Sequence, residues 1–182
     1  MIDLLIPKKT DAAASKSYIA QALISFLKDK DIDDISITDI VKKAGVSRMT
    51  YYRYFSSKME VLESYLDIVI EDYTNNLPPI TDNMYFSSFE CIEHGVNYFK
   101  KYKDYILTLD KAKLSPIILN EMTSFLIGKF GENTEANIDN VYISYYAGGL
   151  FNIYINWLKN DLHESEKELA TKIYKITNSF IH

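Results

Sequence analysis

The feature that most constrains the fold is a glycine between two short amphipathic segments, in the run SITDIVKKAGVSRMTYYRYF at residues 36–55. Ser36 is suited to cap the first segment, with Asp39 three residues later in a box-like role. Gly45 stands where helices commonly end in the left-handed conformation, and Ser47 is the natural cap of a second helix. Two short helices joined by a glycine-centred turn predict a helix-turn-helix motif.

The remaining segments show the three- and four-residue apolar spacing that is typical of amphipathic helices. Residues 15–30 predict a helix before the motif, with Ile19, Leu23, Phe26 and Leu27 on its inner face. No segment alternates as a strand would. We therefore predict an all-α protein of about nine helices, in which a three-helix N-terminal domain with the helix-turn-helix precedes a larger helical C-terminal domain. The predicted domain ranges are 1–56 and 57–182.

Start and stop signals place the later helices. Ser57 with Glu60 predicts a capping box that opens a long fourth helix, and the run NNLPP at residues 75–79 predicts its end. Further signals are the expected break near Lys103 and Asp104, the Ser115–Pro116 start, the Gly131 stop, and the Ser165 and Glu168 capping box of the last helix.

Residues 138–159 leave almost no polar face, so a helix here must be covered on nearly all sides. Few elements follow it in the chain, and a second copy of the protein would supply the missing cover. Gly148 and Gly149 would each cost about 1 kcal/mol relative to alanine inside a helix, which close backbone approach would offset. The alternative is that this glycine pair breaks the segment into two helices.

Composition excludes several classes of protein. Cys91 is the only cysteine, so no internal disulfide forms, and the three histidines show no ligand spacing. We expect no metal site and no cofactor. The chain shows no glycine-rich phosphate loop and no pairing of Ser or Cys with His, so we do not expect an enzyme. It has no apolar run near the roughly 20 residues of a membrane span and no secretory signal pattern, which predicts a cytoplasmic protein without membrane contact.

Charge is divided unevenly along the chain. Residues 1–58 carry ten Lys and Arg against seven Asp, a net of +3, whereas residues 59–182 carry ten against eighteen acidic residues, a net of −8. The only two arginines, Arg48 and Arg53, both lie in the second helix of the motif. A basic N-terminal region on an acidic body indicates that the first region meets polyanions.

In a helix-turn-helix, the second helix enters the major groove by its N-terminal end. Tyr51 and Phe55 share the face predicted to pack inward. The outer residues are suited to contact DNA because they carry guanidinium forks, hydroxyls and apolar groups for base edges and phosphates. They are Arg48, Met49, Thr50, Tyr52, Arg53 and Tyr54. Lys58, at the first turn of the fourth helix, is suited to share a phosphate with that helix terminus.

The run ITDIVKKAGVSRMTYYRYFSSKMEVL, residues 37–62, resembles the DNA-binding domain of the TetR (tetracycline-repressor-like) family of bacterial transcriptional regulators. The resemblance covers roughly residues 15–65 and departs from the family pattern at Met49 and Tyr54. It implies that Thr50, Tyr52, Tyr54 and Lys58 meet the operator. It also implies that Thr38 and Ser47 contact phosphates.

The resemblance also implies three N-terminal DNA-binding helices, a connecting fourth helix and a helical C-terminal regulatory and dimerisation domain. In the implied homodimer, the last two helices of each subunit pair in a four-helix interface. The residues expected in this interface are Gly148, Gly149, Phe151, Ile155, Ile173 and Phe180. Two recognition helices about 34 Å apart would then read a palindromic double-stranded operator.

Regulators of this kind commonly hold a small-molecule effector among their C-terminal helices. The residues expected to line such a site are Tyr98, Phe99, Tyr102, Phe125 and Tyr145, although an ordinary aromatic core also explains each of them. The predicted function is a sequence-specific homodimeric repressor that a small molecule releases. The alternative is a helix-turn-helix activator or co-regulator controlled by a protein partner.

Overall fold

A computed structural model of the protein describes residues 11–78, 86–130 and 140–179. Within these ranges the prediction of an all-α fold is confirmed, with nine α-helices and no strand. The α-helices are α1 Asp11–Leu27, α2 Ile37–Ala44, α3 Arg48–Tyr54, α4 Lys58–Asn75, α5 Phe89–Lys101, α6 Lys103–Lys111, α7 Pro116–Phe130, α8 Asn140–Lys159 and α9 Glu166–Ser179. A 3₁₀ turn, Ile32–Asp34, lies between α1 and α2.

The helices form two compact units. The N-terminal unit contains the described residues up to Val69 together with Thr108–Ser115, and the C-terminal unit contains the described residues of Ile70–Leu107 and those from Pro116 onward. The division between the units therefore falls inside α4. The predicted functional division into residues 1–56 and 57–182 stays a prediction.

The core of the N-terminal unit lies where α1 packs against α2 and α3. Ile19, Leu23, Ile40 and Tyr51 are fully buried there. Each such side chain contributes roughly 1.5–3 kcal/mol when it leaves water. Phe26, which the spacing assigned to the inner face of α1, is only half-buried, and the Lys43 ammonium lies 4.6 Å from the centre of its ring.

The predicted caps of α2 and α3 are confirmed. Ser36 Oγ accepts a hydrogen bond from the Asp39 backbone N–H at 3.1 Å and donates to Asp39 Oδ2 at 2.7 Å. Gly45 ends α2 with φ at 68°, the left-handed conformation that glycine adopts without steric cost. Ser47 Oγ then accepts from the Thr50 backbone N–H at 3.0 Å and begins α3.

The capping box predicted for α4 forms with one change. Ser57 Oγ accepts from the Glu60 backbone N–H at 3.1 Å, as expected. The Glu60 carboxylate accepts from the backbone N–H and the hydroxyl of Ser56 instead, at 2.6 and 2.7 Å. These hydrogen bonds from Ser56 hold the pKa of Glu60 below its usual value. The backbone N–H that donates to the Glu60 carboxylate is thus that of Ser56, one residue before the Ser57 that the motif predicts.

The core of the C-terminal unit lies where α5 packs against α8 and α9, and where α7 packs against α8. The fully buried apolar residues Ile92, Val96, Ile143 and Leu158 belong to it. The helix α8 runs without interruption through its glycine pair, so the alternative of two shorter helices is wrong. One side of α8 is buried, whereas another side leaves Val141 exposed by 71%.

The turn between α8 and α9 is fixed by the only tryptophan. Trp157, which is buried, donates its indole N–H to the Glu164 carbonyl at 2.9 Å. The Leu162 backbone N–H donates to the Trp157 carbonyl at 3.2 Å. Ser165 Oγ then accepts from the Glu168 backbone N–H at 3.3 Å, and Glu168 Oε2 accepts from the Ser165 backbone N–H at 2.9 Å, which confirms the predicted capping box of α9.

Several helix ends differ from their predicted positions. The helix α1 is described from Asp11 to Leu27 rather than over residues 15–30. The apolar spacing of Phe86, Phe89 and Ile92 predicted that Phe86 lies inside the fifth helix, whereas α5 begins at Phe89 after the Ser88 cap. The α5–α6 break at Tyr102 and the α7 start at Pro116 are as expected. Gly131, the predicted end of the helix now called α7, lies outside the described residues.

Candidate nucleic-acid interface

The helix α3 presents one face inward and another to solvent. Tyr51 is fully buried and Phe55 is 2% exposed, which confirms that these two residues hold the helix against the core. Their ring centroids lie 5.9 Å apart. The neighbouring residue Tyr52 is 59% exposed and Met49 is 82% exposed. Large apolar side chains left in solvent on a capped helix are available for a partner.

Both arginines lie on the exposed side of α3, and each is held by an uncharged group. Arg48 Nη2 donates to Thr38 Oγ1 on α2 at 2.6 Å. The Arg53 guanidinium lies 4.7 Å from the centre of the Tyr54 ring. Neither arginine forms an ion pair within the described ranges. Both positive charges are therefore uncompensated, which suits contact with a polyanion.

Two of the remaining predicted contact residues, Ser47 and Thr50, lie at the start of α3, and Tyr54 is its last residue. The hydroxyls of Ser47 and Thr50 lie 2.9 Å apart and share one hydrogen, so a second hydroxyl hydrogen remains for a phosphate oxygen. Tyr54 is half-buried, and the Lys16 ammonium lies 5.7 Å from its ring centre. The structure thus brings the predicted residues of α2 and α3 to one surface, and their contact with DNA stays a prediction.

Lys58 has a structural partner that the sequence did not indicate. Its ammonium donates to the carbonyl of Ile35 at 2.9 Å and to the carbonyl of Ile32. These bonds tie the first turn of α4 to the loop between α1 and α2. An ammonium has three N–H donors, so one remains for the predicted phosphate. Lys58 therefore has a role in folding as well as any role in binding.

An aromatic cluster lies in the C-terminal unit around Tyr73 of α4. The Tyr73 ring centroid lies 4.7 Å from that of His94, 5.2 Å from that of Tyr98 and 5.5 Å from that of Phe125. Tyr98 and Phe125 were predicted to line an effector site, whereas Tyr73 and His94 were not. Burial raises the pKa of Tyr73 far above its usual value, so the phenol stays neutral at any physiological pH.

Asp72 organises the polar edge of this cluster. Its carboxylate Oδ2 accepts from Lys101 Nζ at 2.6 Å and from the Tyr102 hydroxyl at 2.8 Å. Its backbone carbonyl accepts from the Tyr98 hydroxyl at 2.9 Å. Partial burial acts to raise the pKa of Asp72, but the hydrogen bonds from Lys101 and Tyr102 outweigh it and hold the pKa below its usual value. The last turn of α4 is thereby fastened to α5 through charged and phenolic groups.

The other predicted effector residues lie elsewhere. The Phe99 ring centroid is 4.4 Å from that of Tyr154 on α8. Tyr145 is 68% exposed and makes none of the ring contacts of the Tyr73 cluster. The structure brings together only part of the predicted set, and ligand binding by these residues stays a prediction.

The residues predicted for the dimer interface divide by exposure. Gly149 is exposed, Gly148 and Phe151 are half-buried, and a Cβ atom added at either glycine meets nothing within 4 Å. Ile155 and Ile173 are 6% and 2% exposed because they pack inside the subunit, so their side chains offer little area to a second copy. Phe180 lies outside the described residues. Val141 and Tyr145, which were not predicted for the interface, extend the exposed side of α8.

No group of three or more His, Cys, Asp or Glu side chains that could hold a metal ion occurs among the residues described. Within the same ranges, every helix is too short or too polar to cross a lipid bilayer.

Two family models match the chain. Residues 19–65 match the model described as "Bacterial regulatory proteins, tetR family", and residues 87–179 match the model of a "Transcriptional regulator C-terminal region". The second match alone covers half of the chain. The first match contains the whole helix-turn-helix surface described above.

Individual relatives agree with these models. The uncharacterized HTH-type transcriptional regulator YvdT of Bacillus subtilis is 26% identical over 171 residues, which cover 79% of this chain and 87% of YvdT. The HTH-type transcriptional regulator EthR of Mycobacterium tuberculosis is 31% identical over 120 residues, which cover 63% of this chain and 56% of EthR. Lin0861 from Listeria innocua shares the fold with a TM-score of 0.76 at 15% identity, covering 97% of this chain and 96% of that one.

Proposed function

Because the chain belongs to the TetR family of bacterial regulatory proteins and is a DNA-binding transcriptional regulator, we propose that it acts as a homodimeric repressor. In this proposal each subunit places α3 in the major groove of one half of a palindromic operator. A small molecule that binds the C-terminal unit releases the DNA.

The observation that carries the proposal is the exposed side of α3. It presents Arg48 and Arg53 with uncompensated charge, beside the solvent-exposed Tyr52. The opposite side of the helix is fixed by the buried Tyr51, and its first turn is capped by Ser47. A short helix that is anchored on one side and charged on the other is suited to enter the major groove as a recognition helix with a fixed orientation.

Support for the homodimer comes from the exposed side of α8. Val141 and Tyr145 remain 71% and 68% exposed, and Gly149 on the same helix is exposed with open space beside it. Exposed apolar side chains next to glycine allow two helices to approach closely, as a helical interface requires. A second copy would cover the area that this subunit leaves open.

Support for an effector comes from the Tyr73 cluster and the Asp72 edge beside it. Both lie at the end of α4. The beginning of the same helix is tied to the α1–α2 loop of the N-terminal unit through Lys58. A ligand releases DNA only if it binds the two states of the protein with different affinity. A ligand that inserted among these rings would have to separate contacts that now hold the end of α4 to α5.

A gel shift on the DNA that flanks the protein's own gene tests the proposal. We expect the full-length protein to retard this DNA, and we expect Tyr52→Ala to weaken the shift while the helical circular dichroism is unchanged. Tyr18→Ala, which removes another exposed tyrosine from α1, is the matched control. If the wild-type protein shifts no duplex, or if Tyr52→Ala binds as tightly as the wild type, the assigned surface is wrong. Repeating the assay with candidate small molecules tests release.

A further inference from the structure

Arg48 is held across the turn of the helix-turn-helix by a single hydroxyl. Arg48 is the first residue of α3 and Thr38 is the second residue of α2, and both are exposed. The guanidinium Nη2 donates to Thr38 Oγ1 at 2.6 Å, between residues ten positions apart in the sequence. This hydrogen bond joins the first turns of two helices through side chains that both face solvent.

The neighbouring polar groups are already committed to other partners. Ser36 both caps α2 and donates to the Asp39 carboxylate, while Ser47 caps α3 and pairs with Thr50. Asp39 is the acidic residue closest in sequence to Thr38, yet it accepts from Ser36 and forms no ion pair with Arg48. The Thr38 hydroxyl caps neither helix, and the contact that it makes is the one with Arg48.

A neutral partner restrains the guanidinium without neutralising it. Arginine has five N–H donors in a planar fork, and one bond to Thr38 leaves the others available. A phosphate presents several acceptor oxygens, so a guanidinium can meet it in several orientations with one or two hydrogen bonds. The O6 and N7 atoms of guanine accept a guanidinium only when its plane is aligned with the base edge. A restrained fork that keeps its full charge therefore favours a base over a phosphate.

We propose that Thr38 is a positioning residue for DNA reading, which orients the Arg48 guanidinium so that Arg48 recognises a guanine in each half of the operator. The inference rests on the proposed function, because it requires α3 to lie in the major groove. It assigns Thr38 a role in sequence preference instead of the phosphate contact that the family resemblance implies.

Selection of bound sequences from a random duplex pool tests this role with the full-length protein. The variants are Thr38→Val, which removes the hydroxyl and keeps the shape, Thr38→Ser, which keeps the hydroxyl, and Arg48→Ala. We expect the wild type and Thr38→Ser to select guanine at one position of each half-site. In Thr38→Val the preference for guanine at that position should be about tenfold weaker, and in Arg48→Ala it should be absent. The preferences at the other positions should be unchanged. Circular dichroism and thermal melting of each variant check that it is folded.

The alternative outcomes separate this inference from the proposed function. If Thr38→Val weakens binding evenly across all sequences, Thr38 contacts phosphate and the positioning role is wrong. If Arg48→Ala leaves every base preference intact and only reduces the dependence of affinity on salt, Arg48 contacts phosphate and the inference is also wrong. If the wild-type protein selects no sequence, the proposed function itself fails.

Discussion

Two helices of this protein carry adjacent tyrosines, and the two pairs divide in the same way. In α3, Tyr51 is fully buried and Tyr52 is 59% exposed. In α8, Tyr146 is 7% exposed and Tyr145 is 68% exposed. In both pairs the buried hydroxyl has no hydrogen-bond partner among the described residues. One residue of helix is a rotation of about 100°, so adjacent side chains point in different directions.

The difference between the pairs lies in what surrounds the exposed tyrosine. Tyr52 stands beside Arg53 and follows Met49 on a short capped helix, whereas Tyr145 stands between Val141 and Gly149 on a long one. Tyrosine has an apolar body and a polar tip, so it suits either kind of partner. The flanking charges favour a polyanion as the partner of the first surface, and the flanking apolar and glycine positions favour a protein as the partner of the second.

Truncating the buried member of the first pair should have the largest effect. Tyr51→Ala removes a fully buried ring and should lower the free energy of unfolding by about 3–5 kcal/mol. Tyr52→Ala should change it by less than about 0.5 kcal/mol, because the side chain is exposed. Urea denaturation followed by circular dichroism measures both. Equal destabilisation by the two variants would contradict the division of faces.

The exposed member of the second pair should control assembly. Tyr145→Glu places a charge on the exposed side of α8 and should weaken dimerisation by about 30-fold or more, or about 2 kcal/mol. Tyr18→Glu makes the same change on α1 and should leave the dimer intact. Sedimentation velocity over a dilution series measures the dissociation constant. A dimer that is unaffected by Tyr145→Glu would place the interface on another surface.

Lys58 sharpens the distinction between residues that fold and residues that bind. Lys58→Ala leaves the carbonyls of Ile32 and Ile35 without their donor, so we expect a loss of stability of about 1–2 kcal/mol. Operator affinity should fall as well if the remaining N–H reaches a phosphate. Thermal melting and a gel shift separate the two effects. Unchanged melting would show that the carbonyl contacts do not stabilise the fold.

Alkaline pH offers a test of the buried phenols alone. Burial raises the pKa of Tyr51 to about 12, whereas the pKa of a tyrosine in the unfolded chain is about 10. The unfolded chain therefore releases this proton first, and stability present below about pH 10 should be lost as the pH rises towards 12. Tyr51→Phe should reduce this decline. Burial also raises the pKa of Tyr65 to about 12, so part of the decline should persist in the variant.

Substitutions of glycine should have the smallest effects on stability. They compare a glycine on the exposed side of α8 with a glycine that faces the interior of the subunit. Gly149→Ala meets open space within one chain and should stabilise a single subunit by up to about 1 kcal/mol. If α8 packs closely on a second copy, the same methyl group should weaken the dimer. Gly95→Ala is the matched control, because its Cβ would lie 3.0 Å from the Tyr154 hydroxyl inside the subunit. Melting temperatures measured over a range of protein concentrations distinguish these outcomes.

Local signals in the sequence predicted most of the N-terminal unit. The caps at Ser36 and Ser47 and the left-handed Gly45 depend on residues three or four apart, so periodicity and capping rules reach them. The contacts of Lys58 with Ile32, 26 residues away, and of Asp72 with Lys101, 29 residues away, depend on tertiary packing. No local pattern encodes such pairs. The Tyr73 cluster was missed for the same reason.

The C-terminal residues showed a second limit of sequence reasoning. Apolar content predicted that the segment containing α8 needs cover on nearly all sides, but it did not show which residues the subunit itself covers. Ile155 and Ile173 face the interior, whereas Val141 and Tyr145 remain exposed. Helical spacing gives relative angles around one axis, and only the packing of α5 and α7 against α8 fixes the absolute direction.

The indole of Trp157 gives the protein an optical reporter. The chain contains one tryptophan, so fluorescence excited at long ultraviolet wavelengths arises from a single, buried position. That indole is bonded to the Glu164 carbonyl in the α8–α9 turn, and its emission should shift to longer wavelength when the turn opens to water. Emission thus follows the loss of the C-terminal unit by itself, while circular dichroism follows all helices. A mismatch between the two melting curves would reveal that the units unfold separately.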